Sequence, residues 1–497
     1  GNSNPGQYME ILVGDTLYFG ATDGSSGHEL WAHDTSNAST WQVADINSGT
    51  GSSNPGNSPF PGQYMSILVG DTLYFSADDG SSGYELWAHD TSNASTWRVA
   101  DIRSGTDGSN PGQYMSILVG DTLYFSAEDG SYNSELWAHD TSNASTWQVA
   151  DIRSGTGSSN PGQQMSILVG DTLYFSADDG SSGHELWAHD TSNASTWRVA
   201  DIRSGLYGSN PGQDMSILVG DTLYFDADDG SSGLELWAHD TSNSSTWQVA
   251  DINSIGSSNP GQAMSMLVGD TLYFDASQPG SGYELWAHDT SNSSTWRVTD
   301  INMAGPPYWT GSSPGSYMSI LVGDTLYFSA TDGTFITGHE LWAHDTSNAS
   351  TWQVADIDSG TGGSNPGSYM AILVGDTLYF SANDGSSGHE LWALDPTKII
   401  LNTPPPVSWE TDPALPAGMS ISNGVISGTP SVYANNQTYT VYANQSNYST
   451  THQLYFSVDT DNAHTVVENQ AIDAIGFHPP FNNGTTTWTA SANLPGN

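Results

Sequence analysis

Apolar and polar residues alternate along this chain in short runs that fit β-strands, and no stretch carries the 3.6-residue period of a helix. Residues 65–102 show the pattern, with strand-like runs at 65–69, 72–77, 85–90 and 96–102. Gly70-Asp71 separates the first two runs and is typical of a two-residue hairpin turn, because glycine accepts positive φ. The pattern predicts four antiparallel strands joined by polar turns.

This four-strand unit is repeated. The tripeptide Glu-Leu-Trp marks each copy, and its tryptophans recur every 49 to 56 residues at Trp31, Trp87, Trp137, Trp187, Trp237, Trp286, Trp342 and Trp392. The strands carry apolar residues on both parities, so each sheet needs cover on both faces. Radially stacked sheets provide that cover, and eight copies predict an all-β fold with an eight-bladed β-propeller. Two four-bladed rings are the alternative, and the even spacing argues against a break.

The repeat resembles the ELW-type (ELWxxDGT) repeat of prokaryotic surface proteins over residues 5–402. Asp-Thr-Leu-Tyr-Phe, Asp-Gly-Ser-Ser-Gly and Glu-Leu-Trp recur together, whereas Ala-His-Asp-Thr-Ser-Asn follows the tryptophan where the family has a Gly-Thr turn. The resemblance implies a secreted or surface-bound propeller. The eighth copy carries Leu394 in place of a histidine and loses the last-strand motif, so we interpret it as a closing blade.

The composition changes after Asn402. Thr403-Pro-Pro-Pro406 is a stiff linker, and short strand-like runs follow it. Leu415-Pro-Ala-Gly418 with Ile426-Ser-Gly-Thr-Pro430 resembles He-PIG-type Ig-like modules. We therefore predict three domains: a propeller at 1–402, an Ig-like β-sandwich at 403–459 and an incomplete Ig-like module at 460–497. The incomplete module is either truncated or completed by strand addition from a neighbouring subunit, which would build a head-to-tail polymer.

The net charge of the chain limits the kinds of partner that it can bind. The 497 residues include 54 acidic and only 7 basic side chains, which gives a net charge of −47. Such a surface repels nucleic acid and anionic membranes. No cysteine is present, which excludes disulfides and thiolate metal sites, and no apolar run is long enough for a membrane helix. The loop-like start at Gly1 is what a processed N-terminus would show.

Asn-x-Ser/Thr sequons are the strongest local motif and predict N-linked glycans outside the cell. Seven fall in the turn between the third and fourth strands, at Asn37, Asn93, Asn143, Asn193, Asn243, Asn292 and Asn348. Four more lie in the C-terminal modules, at Asn436, Asn444, Asn447 and Asn483. The alternative is a polar turn in which asparagine and serine bond to their own backbone. Because alternate loops of an antiparallel sheet share an edge, the seven should ring one face of the propeller.

Aromatic insertions on the opposite face predict a contact surface for a partner. The residues are Phe60, Tyr308, Trp309, Phe335 and Ile336, with Trp488 in the last module. They could instead fold back onto their own blades.

Acidic loops between the second and third strands supply oxygen ligands that Ca²⁺ accepts, with Asp78, Asp79, Asp178 and Asp179 as candidates. Asx-turns explain the same residues, and we expect no obligatory cofactor. The histidines after each Glu-Leu-Trp lie on separate blades and should tie adjacent strands together. The aspartates that end the fourth strands, such as Asp101, should accept backbone N–H groups.

We find no nucleophile elbow, phosphate loop or dinucleotide motif, so we predict that the chain is not an enzyme. The main hypothesis is an extracellular, glycosylated structural protein that self-associates into a surface filament or surface layer, in keeping with an archaeal exterior. The alternative is a carbohydrate-binding, lectin-like propeller that recognises extracellular glycans. A hydrolase or lyase is the third possibility.

Overall fold

The structure is a computed structural model that describes residues 2–57, 65–130, 133–302, 311–333, 338–359, 362–396, 408–415, 417, 419–422, 425–428, 434–445 and 448–458. These residues form strands and turns only. No membrane-spanning helix is found among them. Two compact units divide the chain, one comprising residues 1–368 and 382–390, the other 369–381 and 391–497.

The eight sequence repeats form eight antiparallel sheets, the blades of a β-propeller, in which the strands follow chain order. Seven blades have four strands, and the eighth has three among the described residues. First strands are Glu10–Val13, Ser66–Val69, Ser116–Val119, Ser166–Val169, Ser216–Val219, Ser265–Val268, Ser319–Val322 and Ala371–Val374. Second strands are Thr16–Thr22, Thr72–Asp78, Thr122–Glu128, Thr172–Asp178, Thr222–Asp228, Thr271–Gln278, Thr325–Ala330 and Thr377–Asn383. Third strands are His28–Asp34, Tyr84–Asp90, Ser134–Asp140, His184–Asp190, Leu234–Asp240, Gly282–Asp289, Glu340–Asp345 and His389–Leu394. Fourth strands are Ser39–Ala44, Ser95–Ala100, Ser145–Ala150, Ser195–Ala200, Ser245–Ala250, Ser294–Arg297 and Ser350–Ala355.

Local sequence sets the register of each blade. Val69 pairs with Thr72 across the predicted hairpin, and Gly70 has φ +58°, the conformation for which glycine suits such turns. A register shift at Leu86/Trp87 then lets the fourth strand continue to Ala100. The predicted strands and hairpins are confirmed.

Neighbouring blades bury each other's faces. Tyr74, Leu86 and Ala88 of blade 2 pack in one apolar cluster with Leu123 and Phe125 of blade 3. The same arrangement recurs between every consecutive pair from blades 1 and 2 to blades 6 and 7. The two-sided apolar pattern of the sequence therefore finds the cover it needs, and the predicted fold class is confirmed.

Each blade has two edges with different roles. On one edge, Thr91 donates from its N and its Oγ1 to the carbonyl oxygen of Asp71, at 2.8 and 2.9 Å, which joins the first hairpin to the turn after the third strand. We call this the sequon edge. On the other, the loop after the second strand contacts the connection between blades, as where Asn110 N donates to Tyr84 O at 3.1 Å. We call this the linker edge.

The C-terminal region forms two small antiparallel sheets. One has the strand order Ser408–Asp412, Ala434–Gln445, Tyr448–Val458, and the other pairs Met419–Ser422 with Val425–Gly428. Tyr439 is fully buried. The predicted boundaries at 402 and 459 stay predictions, and the predicted third module at 460–497 lies outside the described residues.

Candidate functional site

The seven propeller sequons occupy equivalent turns on the sequon edge, and their asparagines are all exposed. In blade 1, Asn37 Nδ2 donates to Asp34 Oδ2 at 2.7 Å, and Asn37 Oδ1 accepts the N–H of Ser39 at 2.9 Å. Ala38 between them has φ +58°. Both contacts recur at Asn93, Asn143, Asn193, Asn243, Asn292 and Asn348. The turn holds every asparagine side chain in one orientation.

This turn geometry is compatible with modification of the asparagine. A carboxamide has two N–H groups, and N-glycosylation replaces one hydrogen. Asp90, the carboxylate that meets the Asn93 amide, accepts from Ser92 Oγ and Ser92 N, and these bonds hold the pKa of Asp90 below its usual range. An ionised acceptor is therefore available for the remaining amide hydrogen.

The C-terminal sequons are placed less uniformly. Asn436 and Asn444 lie within the strand Ala434–Gln445, in contrast to the turns of the propeller. Asn447 and Asn483 lie outside the described residues, as do the proposed contact residues Phe60, Tyr308, Trp309, Phe335, Ile336 and Trp488.

Half-exposed tryptophans form a second repeated surface feature, which the sequence analysis missed. Trp97 lies in the fourth strand opposite Ala88, on the face that also carries Tyr74. Its exposed fraction is 40%, and the equivalents in five other blades are 39 to 41% exposed, at Trp41, Trp147, Trp197, Trp247 and Trp296. Each indole lies four residues after a sequon asparagine, in the strand that begins at the sequon turn.

The acidic loops of the linker edge are built as Asx-turns. Asp79 Oδ1 accepts the N–H groups of Ser81 and Ser82, both at 2.8 Å, and Asp79 Oδ2 pairs with Arg98 at 3.3 Å. Asp179 makes the same contacts with Ser181, Ser182 and Arg198. Asp78 Oδ1 accepts the N–H of Gly80, and Asp178 pairs with Arg153. Within the described ranges, no three acidic or histidine side chains converge as metal ligands would. Calcium binding at these loops stays a prediction.

A buried glutamate at the linker edge holds each connection between blades. Glu85, from Glu-Leu-Trp, accepts the N–H of Ile102 at 2.9 Å, the N–H of Ser109 at 3.0 Å and the hydroxyl of Ser109 at 2.7 Å. We call this carboxylate with its donors the Glu clasp. It recurs at Glu29, Glu135, Glu185, Glu235, Glu284 and Glu340.

The Glu clasp replaces the role that we assigned to the aspartates at the ends of the fourth strands. Asp101 is exposed and pairs with Arg98 at 3.4 Å, whereas Glu85 is fully buried. Burial raises the pKa of Glu85 to about 7, against the opposing effect of its hydrogen-bond donors. The carboxylate that organises the end of the strand is therefore the glutamate.

The ring of histidines joins strands, as expected from the sequence. His89 Nδ1 lies 2.8 Å from Thr96 Oγ1 on the neighbouring strand, and its ring lies 5.4 Å from the ring of Tyr18 in the preceding blade. Burial lowers the pKa of His89, so the ring is held neutral at physiological pH. Six histidines contact both a strand of their own blade and a tyrosine of the blade before it: His89, His139, His189, His239, His288 and His344.

Comparison with known proteins identifies the C-terminal region. Residues 393–460 match the He_PIG family, described as "Putative Ig domain". No curated protein matches the chain. An Ig-like domain is compatible with a surface protein.

Three solved structures are similar to this chain at low identity. A puromycin hydrolase is 12% identical with a TM-score of 0.37, over 77% of this chain and 58% of its own. A prolyl endopeptidase is 12% identical with a TM-score of 0.39, over 88% and 54%. Oligopeptidase B from Leishmania major is 12% identical with a TM-score of 0.36, over 75% and 52%. The alignments thus span little more than half of these proteins.

These comparisons contradict our prediction that the chain is not an enzyme, because the similar structures are hydrolases and peptidases. We had reasoned from the absence of known catalytic motifs to the absence of catalysis. At 12% identity we carry over no catalytic residue from these proteins.

Glu85→Gln tests the Glu clasp. The amide would turn an N–H₂ group towards buried N–H donors, and one of them would lose its acceptor. We expect the unfolding free energy to fall by about 1–3 kcal/mol in chemical denaturation. Glu390→Gln is the matched control, because Glu390 holds the same repeat position in blade 8 but is exposed. Equal stability of the two variants would contradict the clasp.

The clasps also predict a pH dependence of stability. Burial raises the pKa of Glu85, Glu135, Glu235 and Glu284 to about 7, well above the ordinary pKa of a glutamate. A pKa raised by folding gives stability that is complete below the unfolded pKa and is lost as pH rises through the folded pKa. The contribution of these glutamates to the unfolding free energy should therefore fall between about pH 5 and pH 8, by on the order of 2 kcal/mol per glutamate. The difference between the parent and Glu85→Gln separates this contribution from the opposite one of the buried histidines, whose pKa is lowered.

The measurement is thermal or urea unfolding across this range in about 1 M salt, which screens repulsion between surface charges. A difference between the parent and Glu85→Gln that stays flat or rises with pH would show that the donors of the clasp outweigh burial.

Proposed function

We propose that this chain is an extracellular glycoprotein of a cell surface, with N-linked glycans along the sequon edge of its propeller. The observation that carries the proposal is the sequon turn, which presents an exposed asparagine in the same orientation in seven blades. The resemblance of the repeats to ELW-type surface proteins and the Ig-like region support an exterior location.

The charge distribution supports an exposed, soluble role. All six arginines take part in ion pairs with acidic side chains: Arg98, Arg103, Arg153, Arg198, Arg203 and Arg297. Most acidic groups therefore have no cationic partner, which is consistent with the net charge of −47. Such a surface favours mutual repulsion of copies and disfavours nucleic acid and anionic membranes as partners.

Assembly completes the proposal. The chain would self-associate into a filament or surface layer through its C-terminal Ig-like region. The support for this step is the sequence, in which Trp488 and Leu494 repeat the spacing of Trp409 and Leu415.

Native material tests both parts. The intact mass should exceed that of the bare 497-residue polypeptide. Ser145→Ala should remove the glycan at Asn143, whereas Ser145→Thr keeps the sequon and should keep the glycan. Electron microscopy should show particles that touch through the C-terminal region. A mass equal to the bare chain would refute glycosylation, and isolated particles would refute assembly.

Carbohydrate binding is a second candidate function, favoured by the half-exposed tryptophans of the fourth strands. A flat indole open to solvent on one side offers a stacking surface for a sugar ring. If this function holds, the full chain should bind a glycan on an array, and joint substitution of Trp97, Trp147 and Trp197 by alanine should weaken that binding. Leu206→Ala is the control, because Leu206 is 76% exposed but belongs to a blade connection. Unchanged glycan binding in the tryptophan variant would remove this candidate.

A further inference from the structure

The repeats differ in a concerted way at the linker edge of blades 4 to 6. One variable position precedes the buried methionine that leads into the first strand: it is Tyr8, Tyr114, Gln164, Asp214, Ala263, Tyr317 and Tyr369 in the described blades. A second is the fifth residue of the second strand: it is Gly20, Ser76, Ser126, Ser176, Asp226, Asp275, Ser329 and Ser381. The two aspartates of the second position occur in blades 5 and 6, where the first position has lost its tyrosine.

The serine at the second position accepts a backbone N–H group, and aspartate takes over this role in blades 5 and 6. Ser126 Oγ accepts the N–H of Tyr114 at 2.9 Å. In blade 5, Asp226 Oδ1 accepts the N–H groups of Asp214 and Met215, at 3.0 and 2.9 Å. In blade 6, Asp275 Oδ1 accepts those of Ala263 and Met264, both at 2.9 Å. One carboxylate oxygen thus replaces the hydroxyl, and each aspartate brings a second oxygen that this role does not need.

Several oxygens in this region are buried without a donor. Asp226 is 0% exposed, and its Oδ2 has no hydrogen-bond partner among the described residues. The same holds for the atoms Asp214 Oδ2 and Gln164 Oε1. A buried acceptor without a donor costs about 1–3 kcal/mol, and a serine would avoid that cost here as it does in other blades. The unused oxygens therefore indicate a bound group that supplies donors.

Backbone contacts place these side chains in sequence along the edge. Gly212 N donates to Asp226 O at 2.8 Å, and Gly212 lies against Met165, the residue after Gln164. Gly261 N likewise donates to Asp275 O at 2.8 Å and lies against Met215, the residue after Asp214. The order along the edge is therefore Gln164, Asp226, Asp214, Asp275 and Ala263.

Among the described residues, no arginine compensates the negative charge of the carboxylates in this region. Burial raises the pKa of Asp226 to about 7 and that of Asp275 to about 6, and the charge of Asp214 raises both. No arginine ion pair involves any of these three aspartates. A cation bound beside these carboxylates would favour their ionised forms and contact the oxygens that lack a donor.

The chemistry of the site selects the type of cation. The three unpartnered oxygens, of Gln164, Asp214 and Asp226, are acceptors, so a ligand that meets them must offer donors. The described residues do not bring three carboxylates to one point as a metal ion requires, which favours N–H groups that reach separate oxygens. Beside Asp275, the smaller Ala263 stands where other blades carry a tyrosine.

We propose that blades 4 to 6 form a binding site for an organic cation with an ammonium or guanidinium group, held by the carboxylates of Asp214, Asp226 and Asp275. Gln164 adds an amide oxygen at one end of the site.

Calorimetric titration of the full chain with putrescine and with agmatine tests this site. At least one of the two should bind saturably. The double variant Asp226→Ser/Asp275→Ser should bind at least tenfold more weakly. It should fold, because serine fills the same position in blades 3 and 4 and accepts the backbone N–H of the residue before the methionine.

The matched control is Asp221→Ser/Asp270→Ser, which removes two exposed hairpin carboxylates from the sequon edge of the same two blades. This variant should bind as the parent does. Equal weakening in both double variants would show attraction to the net charge only and would overturn the site. Absence of saturable binding for both amines would also overturn it, as would Ca²⁺ binding lost in the first variant alone, which would show a metal site.

Discussion

Every blade of this protein is apolar on both faces, and only a neighbouring blade can cover them. Leu123 and Phe125 have no exposed surface because Tyr74 and Leu86 of the blade before lie against them. Each such large side chain contributes about 1.5–3 kcal/mol when it is removed from water. A blade alone would expose this surface on both faces, so the spacing between blades is the quantity that the rest of the structure has to maintain.

The Glu clasp maintains that spacing. Its glutamate belongs to the third strand of one blade, and its donors lie in the connection to the next blade, 17 and 24 residues later in blade 2. A carboxylate is suited to this task because it accepts several N–H groups at once. The linker edge thus has two roles: it fixes the distance between sheets, and it carries the residues that differ among blades. The sequon edge has neither role and is nearly identical from blade to blade.

Much of the fold follows from short-range rules. Gly70-Asp71 specifies a hairpin, and the alternation of apolar and β-branched residues specifies strands whose register the structure confirms. The sequon turns lie at the predicted place for the same reason. The Glu clasp was not predictable in this way, because Glu85 reads as a polar residue at the start of a strand and its burial depends on donors far along the chain. The half-exposed Trp97 was missed because alternation alone does not reveal how far the next blade covers a side chain. Asp226 looked like one more acidic residue in an acidic protein until the structure showed that one of its oxygens lacks a donor.

Hydrogen–deuterium exchange on the full chain, measured at the second-strand amides of each blade, tests the central claim most directly. The account predicts that blades 2 to 6 are protected to a similar degree and far more than the sequon turns, since equivalent neighbours cover each of these blades on both faces. An interior blade whose second strand exchanges as fast as the turns would contradict it.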